Sequence, residues 1–334
     1  MLKKIFTPSK SKLDKNNIKL PLVFKAKLIS DRVHISAPEA MCVYEEEHSY
    51  KTYQFLEYIE KVIFIYKISL TIDFSEIKTL TAAASLLIFA RITKCQMCVN
   101  NPTAIDIVQP LDKSMKKLFS ASGLWAGIKP GGISKVRKLI DTNNQYMSGS
   151  SASIEDCPKV LMATLLCLAE QGVKFDANAM HIFTRGVQEA ILNVDYHAYG
   201  ESSLARSYTE LGNSRWWQCS WLDKDNNQLV FIIFDDGDGI ANTLKNIYPD
   251  LTDCQLIEKA MTFGVTRTKN PSRGKGSENI IQTSCEFPNS HLVVLTGHGY
   301  YMHDEGGIKL KNLPFEIEGT VIQWVLSYSD EDLK

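Results

Sequence analysis

Apolar and polar residues follow one another along this chain in patterns that predict both strands and helices. In the N-terminal third, short apolar runs predict strands at 33–36, 69–74 (SLTIDF) and 96–99. Longer apolar stretches predict helices at 53–65, 80–92 and 111–121. The segment 80–92 (LTAAASLLIFARI) is long and rich in alanine and leucine, which favours a helix over a strand. Strands that alternate with helices predict a sheet covered by helices.

The clearest helical pattern lies at Met180–Gly200 (MHIFTRGVQEAILNVDYHAYG), after a second apolar helix at 161–169. Within it, Glu189, Asn193 and His197 follow one another every four residues and therefore share one face. An acid, an amide and an imidazole on a helix with apolar flanks predict a wet cleft against the core. Taken alone, the segment is equally consistent with a partly solvated amphipathic helix.

A β-branched apolar run, 228–234 (QLVFIIF), predicts a buried strand that leads into the sequence DDGDGI at 235–240. The carboxylate of Asp235 would be a fixed acceptor at the strand end, and Gly237 and Gly239 would let a flat ligand approach the backbone. A strand-ending turn is the structural alternative for these residues. The polar stretch 223–227 before the strand predicts a hairpin turn rather than a calcium loop, because the required glycine and closing glutamate are replaced.

A second glycine loop, 273–277 (RGKGS), precedes a helix predicted to begin near Glu278. Free backbone N–H groups at such a helix start, with basic residues beside them, suit a polyphosphate. Near the end of the chain, Glu318-Gly319-Thr320 leads into a strand predicted at 321–326.

These four segments together resemble the ATP-binding domain of the GHKL family, which includes gyrase-type topoisomerases, heat-shock chaperones, histidine kinases and MutL. The helix is similar to the N box, DDGDG to the first glycine box, RGKG to the second, and Gly319-Thr320 to the final strand motif. The run EAILNVDYHAY looks most like the pattern of the anti-sigma-factor serine kinases. The resemblance covers roughly residues 150–327.

The resemblance implies a site for ATP and Mg2+. In it, Asn193 would ligate the metal, Glu189 would be the general base, and Asp235 would accept the adenine amino group. The other residues assigned to nucleotide binding are Gly237, Gly239 and Ile240 beside the base and ribose, Gly274, Lys275 and Gly276 beside the phosphates, and Thr320 on adenine through water. Two further positions stay open. His197 either contacts the ligand or packs at the helix end near Tyr199. Thr266 lies in a presumed ATP lid, where it is either solvated or in contact with the γ-phosphate.

In the N-terminal part, a strand ending in Asp73-Phe74-Ser75-Glu76 and followed by a helix of small residues resembles the STAS fold of anti-sigma-factor antagonists. That family carries a phosphorylatable serine just after an aspartate at the helix start. Here the pair is Thr81 and Ala82, which implies a scaffold without the switch, with Thr79, Thr81 and Ser85 as the nearby hydroxyls.

The length of 334 residues fits two domains. We expect a tail at 1–17, a STAS-like regulatory domain at 18–130, a linker at 131–153 that includes Gly131-Gly132 and SGSSAS, and a GHKL domain at 154–330. The predicted fold class is α/β: an N-terminal STAS-like α/β domain plus a C-terminal GHKL two-layer α/β sandwich.

Composition narrows the class of protein. A formal net charge of −1 argues against a generally basic nucleic-acid binder, and no apolar run approaches the roughly 18 residues of a membrane helix. Eight scattered cysteines predict reduced thiols and a cytoplasmic protein. Cys95 and Cys98 form a single pair that would point to opposite faces of the strand predicted at 96–99, which favours structural thiols over a metal site.

We therefore expect a soluble regulatory protein that binds and hydrolyses Mg-ATP and in which nucleotide state controls binding of a protein partner through the lid. Two alternatives are a serine/threonine protein kinase of the anti-sigma-factor type and an interaction scaffold that does not hydrolyse ATP. The family resemblance also makes a homodimer an open expectation.

Overall fold

The computed structural model describes residues 24–99, 101–151, 155–199, 214–262 and 276–328. The chain separates into two units, residues 1–138 and 139–334. Both units combine a β-sheet with helices, which confirms the predicted α/β fold class. Within the described ranges, no helix is long and apolar enough to cross a bilayer.

The first unit contains a mixed four-stranded sheet and a small two-stranded one. Their strands are β1 (Ala26–Ile29), β2 (Arg32–Ser36), β3 (Ala40–Met41), β4 (Ser69–Asp73), β5 (Thr79–Leu80) and β6 (Ile105–Val108). The larger sheet has the order β1-β2-β4-β6, with β1 antiparallel to β2 and the other neighbours parallel. The strands predicted at 33–36 and 69–74 are confirmed by β2 and β4.

In the described part of the first unit, four helices accompany these strands, and a fifth crosses the boundary between the two units. They are α1 (Glu46–Glu60), α2 (Ala82–Cys98), α3 (Lys113–Ala121), α4 (Leu124–Ile128) and α5 (Ile133–Asp141). A π-helical turn, Lys61–Ile65, continues α1. The helices predicted at 53–65, 80–92 and 111–121 are therefore confirmed.

The helix α2 extends further than its apolar pattern predicts. The strand predicted at 96–99 is wrong, because residues 96–98 form the last turn of α2. Arg91 and Lys94 interrupt the apolar pattern, but both are buried and contact the carboxylate of Glu60 at 2.5 and 2.9 Å. Glu60 of α1 thus neutralises the charges of Arg91 and Lys94, two residues that in the sequence suggest the end of a buried helix.

The two closely spaced cysteines accordingly lie on a helix, so the opposite-faces argument for a strand does not apply to them. Cys95 is fully buried, and burial raises the pKa of its thiol well above the ordinary range. It is a core residue of the first unit. At the start of the same helix, Thr81 caps the first turn by accepting a hydrogen bond from the Ala84 N–H at 3.4 Å.

The second unit contains a five-stranded antiparallel sheet. Its strands are β7 (Tyr146–Ser150), β8 (Arg215–Asp223), β9 (Gln228–Asp235), β10 (His291–Asp304) and β11 (Gly307–Ser327), in the order β10-β11-β9-β8-β7. Its helices are α6 (Asp156–Glu170), α7 (Ala177–Asn193), α8 (Gly239–Lys245), α9 (Asp253–Met261) and α10 (Gly276–Cys285). These elements confirm the strands predicted at 228–234 and 321–326 and the helices predicted at 161–169, at 180–200 and near Glu278.

One face of this sheet packs against the helices. Phe183 of α7 meets Phe231 of β9 edge to face, with ring centroids 5.2 Å apart. Trp324 of β11 donates its indole N–H to the Ile280 carbonyl of α10 at 2.8 Å. The helices α7 and α10 are thereby tied to β9 and β11, the neighbouring strands that carry Asp235 and Thr320.

The hairpin predicted at 223–227 is confirmed. Asp223 pairs with Gln228 where β8 turns into β9, and its carboxylate accepts hydrogen bonds from the backbone N–H groups of Asp225 and Asn226.

The linker predicted at 131–153 is wrong for most of its length, because α5 and β7 lie within it. The small polar residues that made it look flexible are held by tertiary hydrogen bonds. Ser148 donates to the Trp216 carbonyl at 2.7 Å, and the Asp156 carboxylate accepts a hydrogen bond from the Ser150 backbone at 3.1 Å. The sheet of the second unit therefore begins before residue 154.

Candidate functional site

The helix α7 presents a polar stripe beside a buried face. Asp176 caps its start by accepting a hydrogen bond from the Ala179 N–H at 2.8 Å. Glu189 and Asn193 are partly buried, whereas the neighbouring apolar residues Ala190 and Ile191 are fully buried. Both polar side chains thus lie at the border between core and solvent.

A π-helical turn, Val194–Ala198, follows directly after Asn193. Its hydrogen bonds close after five residues instead of four, so His197 is not placed by the four-residue spacing used to predict the stripe. The imidazole lies 6.3 Å from the Tyr196 ring, edge to face, and is partly buried. This ring neighbour is Tyr196, and a contact of His197 with a ligand stays a prediction.

The end of this π-helical turn touches the first glycine loop. The N–H of Asp238 donates to the Ala198 carbonyl at 2.6 Å. A Cβ atom at Gly237 would lie 2.2 Å from the same carbonyl oxygen, so any side chain there would push the two segments apart. Tyr199 adds a second link, because its hydroxyl accepts a hydrogen bond from the Asp236 N–H at 3.3 Å.

Asp235 ends β9 in the middle of the sheet, between Trp216 of β8 and Thr320 of β11. Its carboxylate is buried and accepts a hydrogen bond from the Gly237 N–H at 3.0 Å. Burial raises the pKa of Asp235 to about 7; the nearby Asp236 carboxylate adds to this rise, and the Gly237 N–H opposes it. The site thus holds a carboxyl group that takes up or loses a proton near neutral pH.

The backbone around Asp235 is crowded on the side of β11. Gly319 has φ +76°, and a Cβ atom there would lie 1.9 Å from the Asp235 carbonyl oxygen. Thr320, directly opposite Asp235, is buried. Gly239 begins α8, and Ile240 is partly buried against the hydrophobic core of the second unit. All of these predicted site residues therefore surround one strand end.

The helix α10 approaches the other end of the polar stripe. The side-chain amide of Asn279 donates a hydrogen bond to Glu189 Oε1 at 3.3 Å. A Cβ atom at Gly276 would lie 2.8 Å from Glu189 Oε2. Gly276 thus meets α7 at Glu189, while the predicted residues Thr266, Gly274 and Lys275 lie outside the described residues.

Two polar residues near these segments carry no sequence signal for a site. Asn279 is buried within an otherwise ordinary helix. Thr296 of β10 is fully buried, its hydroxyl has no hydrogen-bond partner among the described residues, and it lies against Gly239. A threonine in an apolar strand or an asparagine in a helix looks unremarkable in one dimension, so only the three-dimensional contacts reveal them.

The residues fit a purine nucleotide and a hard cation by their chemistry. A buried carboxyl group beside a hydroxyl suits the amino edge of a flat base. The amide oxygen of Asn193 is a ligand type that Mg2+ accepts, but the described residues contain no group of three or more His, Cys, Asp or Glu side chains that could hold a metal ion.

The chain was compared with protein families and with curated proteins. No protein-family model matches the chain, and no curated protein matches its sequence.

Proposed function

We propose that the second unit is a GHKL-type nucleotide-binding domain that binds Mg-ATP and hydrolyses it. One observation carries this proposal: four segments that are distant in the sequence are joined by contacts that lead from the end of β9 to the polar stripe of α7. The contacts Ala198–Asp238, Asp235–Thr320 and Glu189–Asn279 join the helix, the first glycine loop, the last strand and the second glycine helix. A lone strand-ending turn would not require these four segments to converge.

In this proposal the buried end of β9 selects the base. Asp235 in its ionised form would accept a hydrogen bond from the adenine amino group, and Thr320 would hold the base through a water molecule. An amino group that donates to the carboxylate would also relieve the burial penalty that raises the pKa of Asp235.

The polar stripe of α7 would act on the phosphates. Glu189 would accept a proton from water as the water oxygen forms a bond to the γ-phosphorus and the bond to the ADP oxygen breaks. Asn193 would help to hold Mg2+, whose bound charge would offset the negative charge of the phosphates. The partial exposure of both side chains leaves them accessible to a ligand and water.

Nucleotide state would then control the binding of a protein partner. Gly276, which contacts Glu189 at the start of α10, directly follows the second glycine loop, and the presumed lid around Thr266 precedes that loop in the sequence. A lid that closes on ATP and opens on ADP gives two surfaces with different partner affinities. The STAS-like first unit is the proposed regulatory module of the same protein.

Incubation with ATP labelled at the γ-phosphate tests the proposal. Released labelled phosphate is the expected result. Label on a co-purified protein would instead support a serine/threonine kinase, and neither product would support a scaffold. Replacing Glu189 by Ala should abolish turnover but retain binding of a non-hydrolysable analogue, and replacing Asn193 by Ala should weaken Mg2+-dependent binding.

The matched control is Gln188→Ala, which removes an exposed polar side chain one position from the base. It should leave both turnover and binding unchanged. Turnover that persists at the normal rate in Glu189→Ala and Asn193→Ala would refute the assigned site.

A further inference from the structure

The helices α7 and α10 approach each other closely at Gly186. A Cβ atom at Gly186 would lie 2.0 Å from the Thr283 hydroxyl and 3.1 Å from the Asn279 carbonyl oxygen. Thr283 is fully buried, and its hydroxyl is placed to bond with the Ile182 carbonyl at 3.4 Å and the Asn279 carbonyl at 3.0 Å. Glycine on one helix and a bonded threonine on the other thus fix how the two helices are aligned.

This alignment places an amide opposite the proposed base. Glu189 lies about one turn after Gly186 on α7, and Asn279 lies about one turn before Thr283 on α10. Asn279 is 7% exposed, and its amide reaches Glu189 Oε1 at 3.3 Å. A buried amide whose partner is a partly exposed carboxylate holds one oxygen of that carboxylate in a fixed position.

The other carboxylate oxygen is confined by the beginning of α10. Glu189 Oε2 is 2.8 Å from the position that a Cβ atom at Gly276 would occupy. The first turn of a helix carries unpaired N–H groups and a partial positive charge, which favour a nearby carboxylate. Oε1 of Glu189 is therefore held by α10, and Oε2 lies beside the beginning of the same helix.

We propose that Asn279 is a positioning residue for Glu189, an inference that rests on the proposed ATPase function. Its amide binds Oε1 and thereby leaves Oε2 to receive the proton of the attacking water. A general base contributes to the rate only when it is held within hydrogen-bond reach of the proton that it removes. Loss of the amide would leave ATP bound normally but the base misaligned.

The test compares Asn279→Ala and Asn279→Leu with the unmodified full-length protein. Both variants remove the hydrogen bond, and leucine retains most of the side-chain volume, so an effect of packing is separated from an effect of orientation. A misplaced group can lower a rate by up to about 100-fold. We therefore expect kcat to fall by about 10-fold or more in both variants, while KM for ATP and the affinity for a non-hydrolysable analogue, measured by calorimetry, stay within about twofold.

The chain offers a matched control in a second asparagine–glutamate pair. Asn178 near the start of α7 donates to Glu286, just after α10, at 2.6 Å. Asn178→Ala removes the same type of hydrogen bond, between α7 and the residue that follows α10, at an exposed position away from Glu189. It should leave kcat unchanged. A crystal structure of Asn279→Leu should show the Glu189 carboxylate turned away from α10.

The outcomes separate the two proposals. An unmodified protein that does not bind or hydrolyse ATP overturns the proposed function and the role of Asn279 together. An active protein in which Asn279→Ala and Asn279→Leu keep the normal kcat overturns only the positioning role. The same result follows if KM rises as much as kcat falls, or if Asn178→Ala has an equal effect.

Discussion

Replacing Asp235 by Asn should stabilise the ligand-free protein above pH 7 and change its stability little near pH 4. Asp235 is 6% exposed at the end of β9, and burial raises its pKa to about 7. Asparagine has nearly the same shape, and its carbonyl oxygen can still accept the hydrogen bond from the Gly237 N–H. The substitution therefore removes the charge and keeps the geometry.

The size and sign of this change in stability follow from the number of protons that the folded and unfolded states bind. Asp235 has a pKa of about 7 in the folded chain and about 3.9 in an unfolded one. Between these values the folded state binds more protons than the unfolded state, so the free energy of unfolding falls as the pH rises. The full loss is about 4 kcal/mol, reached above pH 7, because each pH unit corresponds to about 1.4 kcal/mol. The Asp235→Asn variant would not suffer this loss, because an amide does not ionise in this range.

Urea unfolding of the two proteins between pH 4 and pH 8.5 measures the effect. The difference in the free energy of unfolding should grow from near zero to about 4 kcal/mol in favour of the variant. Asp250→Asn, at an exposed position, controls for removal of a charge and should show no such gain. The burial argument for Asp235 would be refuted if the difference in the free energy of unfolding did not change with pH. It would also be refuted if the wild type were more stable than Asp235→Asn at pH 8.

Three further predictions test other parts of the structure. If adenine binds to ionised Asp235, calorimetry should show that the affinity for Mg-ATP rises about tenfold per pH unit up to about pH 7 and then levels off, with no such rise in Asp235→Asn. Gly319→Ala should lower the free energy of unfolding by about 3 kcal/mol, because φ is +76° and the added Cβ would meet the Asp235 carbonyl; Gly307→Ala, with φ +103° and no atom within 4 Å, should lower it by only about 1 kcal/mol in the same urea titration. Glu60→Gln should destabilise the first unit by about 3 kcal/mol because it leaves two buried cations without their carboxylate, whereas Glu39→Gln, which breaks an exposed ion pair, should produce no measurable change in the thermal midpoint.

Local patterns in the sequence predicted most of the elements, because their signals lie within a few residues. The strand at β9 follows from its β-branched run, and the helix α7 follows from apolar spacing. The errors occur where a distant partner decides the local structure. The last turn of α2 continues past Lys94 because Glu60, 34 residues away, neutralises its charge. The strand β7 includes small polar residues at 148–150 because β8 and Asp156 satisfy their hydrogen bonds.

The same distinction applies to the candidate site. Asp235 and the glycines after it could be selected from the sequence, since a carboxylate at a strand exit is a local feature. Asn279 gains its significance only from the alignment of α7 with α10, which depends on Gly186 and Thr283. The π-helical turn at Val194–Ala198 likewise has no pattern that distinguishes it from an α-helical continuation.

The position of β7 matters for anyone who wishes to isolate the second unit. β7 pairs with β8 along residues 146–150, at the edge of the sheet. A fragment that starts at residue 154 would replace this five-residue edge strand by β8, which has nine residues and carries Trp216 and Trp217, so a longer row of backbone N–H and C=O groups would be uncovered. An open edge of this kind recruits strands from other molecules. Light scattering should therefore show aggregation of that fragment, whereas one starting at residue 139 should remain dispersed.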